Sequence, residues 1–146
     1  MVTEVTQILY TAEATARGGR TGHVSTPDGT LDLQLSRPAG FKGEGGPGTN
    51  PEQLFAAGYA ACFQNAMQSV ARAQGLDVSG NTVTSHVSIG KVDGPGYGLA
   101  VELVIDLPTL DQATAEQLAR SGHRMCPYSR ATRGNIEVDL TVKGGA

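Results

Sequence analysis

A chain of 146 residues, 39% hydrophobic and 17% charged, is long enough for one core, too short for two separate ones, and too ordinary in composition to stay disordered. Its 11 Lys and Arg against 14 Asp and Glu leave a net charge of −3 with no run of like charge, which argues against nucleic acid as a partner. No run of about 18 apolar residues is present to span a bilayer, and Met1 to Tyr10 lacks the basic start and apolar stretch of a secretory signal. The expectation is one domain over residues 1–146, soluble and cytoplasmic.

Ile8, Tyr10, Ala12, Ala14 and Ala16 alternate with more polar positions up to Gly18 and Gly19, which predicts a half-buried strand ending in a turn, with Arg20 directly after it. A second strand is expected from His23 to Thr26. Pro27, Asp28 and Gly29 then turn the chain into Leu31, Leu33 and Leu35, completing an antiparallel meander. Gly40 to Gly48 shows no periodicity and reads as a flexible surface loop.

A long helix follows. Asn50 can cap it, Pro51 suits its first position, Glu52 favours its positive end, and Gly58 is the one breaker before Gly75. That predicts about 24 residues and about 36 Å. Leu54, Phe55, Ala57, Tyr59, Ala61, Cys62, Phe63, Ala66, Met67 and Val70 make it apolar nearly all round, so burial is expected.

Val83, Val87 and Ile89 share one strand face, and after Gly94, Pro95 and Gly96 every odd position from Tyr97 to Leu107 is apolar, the pattern of a hairpin. Asp111 to Arg120 has helical spacing and is expected to stop near Gly122. Ile136 to Val142 alternates as a final strand. The fold class is α+β, with antiparallel sheets around a long buried central helix.

Chemistry is sparse. Gly43, Gly45 and Gly48 satisfy G-x-G-x-x-G, but no strand feeds the loop, Pro47 intrudes and no acidic residue follows at ribose-binding distance. His23, His86 and His123 have no metal-ligand spacing, so no metal is expected. Glu102 and Asp106 alternate with core residues and read as a wet strand face. Cys62 and Cys126, 64 residues apart, are too few for a disulfide scaffold and too distant for C-x-x-C. A Cys on an apolar helix is by default inert. Cys126 differs, because Pro127 behind it makes it the N-cap of a short helical turn to Thr132, where the positive helix end, Arg130 and Arg133 favour a thiolate.

The segment from Thr49 to Phe63, with Cys126, Pro127, Tyr128, Ser129, Gly19 and Arg20, resembles the organic hydroperoxide resistance (Ohr) branch of the OsmC/Ohr superfamily. Leu9 to Thr11 and Thr132 to Ile136 extend the match over essentially the whole chain. Gln64 and Asn65 depart from it by placing polar groups just past Cys62. The resemblance implies an intertwined homodimer and a cysteine-based peroxidase that reduces organic hydroperoxides to alcohols, with no bound cofactor. Cys62 matches the attacking thiol, Cys126 the resolving one, Arg20 the arginine that activates the thiolate, and Glu52 the carboxylate that orients it. A dithiol such as dihydrolipoamide, or a lipoylated enzyme subunit, is implied as reductant. The alternatives are an OsmC-type peroxidase of broader specificity and a non-catalytic carrier of apolar ligands.

Elementary chemistry agrees with these roles. An apolar site raises a thiol's pKa, so Cys62 needs a cation, and a guanidinium stays charged where it is buried. A carboxylate such as Glu52 holds that fork and offsets its charge. Leu54, Phe55, Tyr59, Phe63 and Met67 surround Cys62 with apolar side chains and are the expected substrate-binding residues. On a straight helix Glu52 and Cys62 lie about 15 Å apart along the axis and about 80° apart around it. Glu52 then serves its own Cys62 only if the helix breaks near Gly58; otherwise a two-fold dimer must build the site.

Overall fold

Three short strands open the chain as an antiparallel meander: β1 (Thr15–Arg17), β2 (His23–Ser25) and β3 (Asp32–Gln34). In this computed structural model residues 2–145 are described, and they divide into two compact units, one running to Pro51 and one starting at Glu52. Asp28 anchors the β2–β3 turn by accepting from Thr26 Oγ1 at 2.7 Å and Thr30 N at 3.0 Å. β1 is much shorter than the strand expected from Ile8 to Ala16. Its register pairs Thr15 with Ser25 and Arg17 with His23, and beyond Ser25 the chain turns away, so residues 8–14 have no strand opposite them. Ile8, Leu9 and Tyr10 are consequently exposed.

The glycine-rich loop is tied down rather than free. A 3-10 turn at Ala39–Phe41 opens it, Leu35 bridges Thr49, and Gly48 N donates to Ser36 Oγ at 2.9 Å. A Cβ on Gly43 would lie 2.1 Å from the Arg37 carbonyl oxygen, so this glycine permits a close backbone approach.

The C-terminal unit is built on α1 (Pro51–Ala73), continuous through Gly58, with Pro51 first and Glu52 in the first turn. It ends where Gly75 takes φ +69° and Leu76 N reaches back to Ala71 O at 2.9 Å. Burial is one-sided: Tyr59, Phe63, Ala66, Met67 and Ala71 are buried, while Ala57, Ala61, Asn65, Ser69 and Ala73 form an exposed stripe. The all-round burial expected from composition is therefore absent within one chain, because small residues supply an apolar face without supplying anything to cover it.

β4 (Thr82–Lys91) and β5 (Tyr97–Leu107) form the expected antiparallel hairpin, with Val101, Leu103, Ile105 and Leu107 buried. α2 (Gln112–Met125) and α3 (Pro127–Thr132) then carry the chain back, and β6 (Val138–Gly144) adds to β5 in parallel. This sheet, β4-β5-β6, is thus mixed at its last strand, since a helical crossover returns the chain to the end of β5 from which it started. α2 also overruns its expected stop. Gly122 lies inside it, where a Cβ would stand 3.0 Å from Met67 Cβ: this glycine marks the contact of α2 with α1. Pro127 supplies the actual stop. α1, α2 and the buried face of β5 share one apolar core.

Candidate active site

Cys62 sits midway along α1 and Cys126 at the junction of α2 and α3; their sulfurs are 3.6 Å apart, both as free thiols. Cys62 is partly exposed and Cys126 fully buried. Cys126 caps α3 as its sequence context predicts, its sulfur accepting from Ser129 N at 3.4 Å. Burial pushes the Cys62 thiol up, the Tyr128 backbone opposes this, and the hydrogen bond with Cys126 adds to the rise. Within this unit these surroundings favour the Cys62 thiol over its thiolate.

An aromatic group stands beside the pair. The rings of Phe55, Tyr59 and Tyr128 meet at centroid distances of 5.8–6.2 Å. A Cβ on Gly58 would lie 3.0 Å from the Tyr128 hydroxyl and 3.1 Å from its ring, so Gly58 admits Tyr128 against α1 without breaking the helix. Of the expected substrate-binding residues, Leu54 and Phe55 are half-buried, whereas Tyr59, Phe63 and Met67 have no exposed surface. The last three are core residues, because their spacing follows the face of α1 that packs against α2 and α3.

Sequence reasoning missed a buried polar chain. Ser129 Oγ lies 2.7 Å from His123 Nδ1 and 2.8 Å from the Tyr59 hydroxyl, which is 3.3 Å from Thr132 Oγ1. Ser129 is fully buried and Thr132 nearly so. Burial lowers the His123 pKa and the Arg133 charge lowers it further. The available signal was Tyr59 itself, a phenol in an otherwise apolar stripe whose hydroxyl needs a partner once buried.

Arg20 belongs to the N-terminal unit, in a 3-10 turn at Gly19–Thr21, with its guanidinium 4.8 Å from the centroid of the Phe41 ring. Glu52 begins the C-terminal unit in the first turn of α1. Because α1 is unbroken, its own helix does not carry Glu52 to Cys62. His86 lies on the exposed face of β4, and His23 pairs with Asp32 on the meander. Among the described residues no group of His, Cys, Asp or Glu is arranged to hold a metal, and no helix is long and apolar enough to cross a membrane.

A buried thiol beside a partly exposed one, where α1 meets the junction of α2 and α3, is the candidate functional site. A family model described as OsmC-like protein matches residues 43–141. The organic hydroperoxide resistance protein of Xanthomonas axonopodis pv. citri is 52% identical over 137 residues, 93% of this chain and 96% of that protein. OhrB of Bacillus subtilis, also named an organic hydroperoxide resistance protein, is 46% identical over 92% of this chain and 98% of its own. The crystal structure of an organic hydroperoxide resistance protein from Legionella pneumophila superposes with a TM-score of 0.89 at 48% identity, covering 94% of this chain and 99% of that one. The chain belongs to the OsmC-like family, in its branch of organic hydroperoxide resistance proteins.

Proposed function

We propose that this protein is a cysteine-based peroxidase that reduces alkyl and fatty-acid hydroperoxides to alcohols in the cytoplasm, where thiols are kept reduced. The observation that carries the reading is the 3.6 Å separation of the Cys62 and Cys126 sulfurs. The Cys62 thiolate attacks the peroxide, taking one oxygen to become a sulfenic acid and releasing an alkoxide that collects a proton. Cys126 then displaces water from that sulfur to form the Cys62–Cys126 disulfide. A dithiol, dihydrolipoamide or a lipoylated enzyme subunit, exchanges with the disulfide and restores both thiols. The names of the relatives support the substrate class, and half-buried Leu54 and Phe55 supply the apolar approach.

Arg20 is the proposed activating cation and Glu52 its orienting carboxylate. Unbroken α1, its exposed Ala57, Ala61 and Ala73, and the exposed apolar Ile8, Leu9 and Tyr10 support a two-fold homodimer that builds composite sites. Mixing Glu52→Ala with Cys62→Ser protein then recovers activity in the heterodimer; a confirmed heterodimer without activity places the site in one chain.

Thiol titration before and after one equivalent of cumene hydroperoxide tests the reading. Loss of both thiols and their return with dihydrolipoamide is expected. Retention of both identifies a carrier.

A further inference from the structure

Behind the two sulfurs lie four polar side chains that no packing requirement demands: His123, Ser129, Tyr59 and Thr132. Ser129 links three helices. Its hydroxyl meets Tyr59 of α1 and His123 of α2, while its own backbone N–H, in α3, reaches the Cys126 sulfur. One hydroxyl satisfies both neighbours, donating to Nδ1 of neutral His123 and accepting from the Tyr59 phenol. Thr132 Oγ1 donates to the Tyr128 carbonyl at 3.0 Å or the Ser129 carbonyl at 3.1 Å, pinning the same turn from its far end. Arg133 donates to the His123 carbonyl at 2.6 Å and closes the loop between α2 and the end of α3. A turn of six residues, too short to hold itself, is thereby locked at the point where it carries Cys126.

We propose that Ser129 is a positioning residue for disulfide formation: anchored by His123 and Tyr59, it keeps its amide on the Cys126 sulfur and that sulfur within reach of Cys62. The inference rests on the reading of Cys62 as the oxidised thiol. In the step concerned the Cys62 S–O bond breaks and the Cys62–Cys126 S–S bond forms. Cys126 sulfur is oxidised, Cys62 sulfur is reduced from the sulfenic level, and the Cys126 thiol proton leaves with the hydroxide as water. The sulfurs must close from 3.6 Å to about 2.05 Å. A loosened turn both widens that gap and withdraws the amide that holds the Cys126 sulfur in place.

The test separates the two chemical steps in Ser129→Ala, His123→Leu and His123→Asn. Asn can present an oxygen acceptor where Nδ1 stood; Leu cannot. Each reduced protein is mixed with one equivalent of cumene hydroperoxide. Peroxide loss reports the first step, and quenched alkylation with intact-mass analysis reports the disulfide. Ser129→Ala and His123→Leu are expected to consume peroxide at close to the wild-type rate but to close the disulfide about tenfold more slowly, equivalent to about 1.4 kcal/mol of barrier. Overoxidised Cys62 should accumulate in both, and His123→Asn should restore closure. Disulfide formation at the wild-type rate in Ser129→Ala overturns the proposal, as does an equal fall in both steps. If Ser129→Ala does not fold, equal closure rates in the Leu and Asn variants overturn it. A wild-type protein that forms no Cys62–Cys126 disulfide instead removes the peroxidase reading beneath it.

Discussion

Replacing Gly122 with alanine sets two effects of known sign against each other. Mid-helix, alanine is favoured over glycine by about 0.8–1.0 kcal/mol. The added Cβ, however, stands 3.0 Å from Met67 Cβ and 3.2 Å from Met67 Cα, inside van der Waals contact with atoms that no rotamer change can move. Overpacking of this kind costs about 1–3 kcal/mol, so the net destabilisation is about 1 kcal/mol, or about 3–4 °C in Tm for a chain of this size. Trimming the partner side chain cannot relieve it, since Met67→Ala keeps the offending Cβ. Urea denaturation of the wild type, Gly122→Ala, Met67→Ala and the double variant measures this. The expected pattern is additive loss without rescue. A Gly122→Ala protein more stable than the wild type by about 1 kcal/mol, the unopposed propensity gain, refutes the close contact of α1 and α2.

Asp111 caps α2, and the Thr114 backbone amide, followed by the Thr114 hydroxyl, holds its carboxyl below the ordinary value of 3.8. A lowered folded-state pKa contributes stability above the unfolded value and loses it as pH falls through the folded one. Urea midpoints of wild type and Asp111→Ala should therefore converge below pH 3.8; a gap unchanged with pH contradicts this. Ser85 Oγ is buried without a hydrogen-bond partner, so Ser85→Ala should raise stability by about 1 kcal/mol in the same assay, and a loss of that size exposes a missing partner. His123 should titrate by NMR below 6.5, mainly through burial, and Arg133→Gln should move it upward without reaching 6.5. An unmoved midpoint removes Arg133 from its surroundings.

Local signals made much of the fold legible. Pro51, Glu52 and Gly75 bound α1 because capping chemistry acts within a turn of the helix end, and Pro127 made Cys126 a cap for the same reason. The alternation in β5 reports a face that is buried in fact. What failed depended on distant partners. Alternation from Ile8 to Ala16 is strand-like, yet a strand needs an opposite edge, and β2 is three residues long. Gly122 carries the same local signal as a helix stop, and only Met67, across the α1–α2 contact, shows that it is a close approach. The direction of β6 follows from the crossover and from no residue within it. Cys62 looked inert on its apolar helix until Cys126 stood beside it. His123, weighed only as a zinc ligand, gains its place from Ser129 and Tyr59. Arg20 and Glu52 were named through resemblance alone, since neither has a local pattern that distinguishes it from a surface charge.

Intact mass spectrometry of the wild type, Cys62→Ser and Cys126→Ser, each given one equivalent of an alkyl hydroperoxide and then an alkylating agent, tests the peroxidase account most directly. The wild type should lose about 2 Da and take up no alkylating agent, Cys126→Ser should gain about 16 Da or its multiples on Cys62, and Cys62→Ser should remain unoxidised. A Cys62→Ser protein that still turns over hydroperoxide with a dithiol contradicts the account.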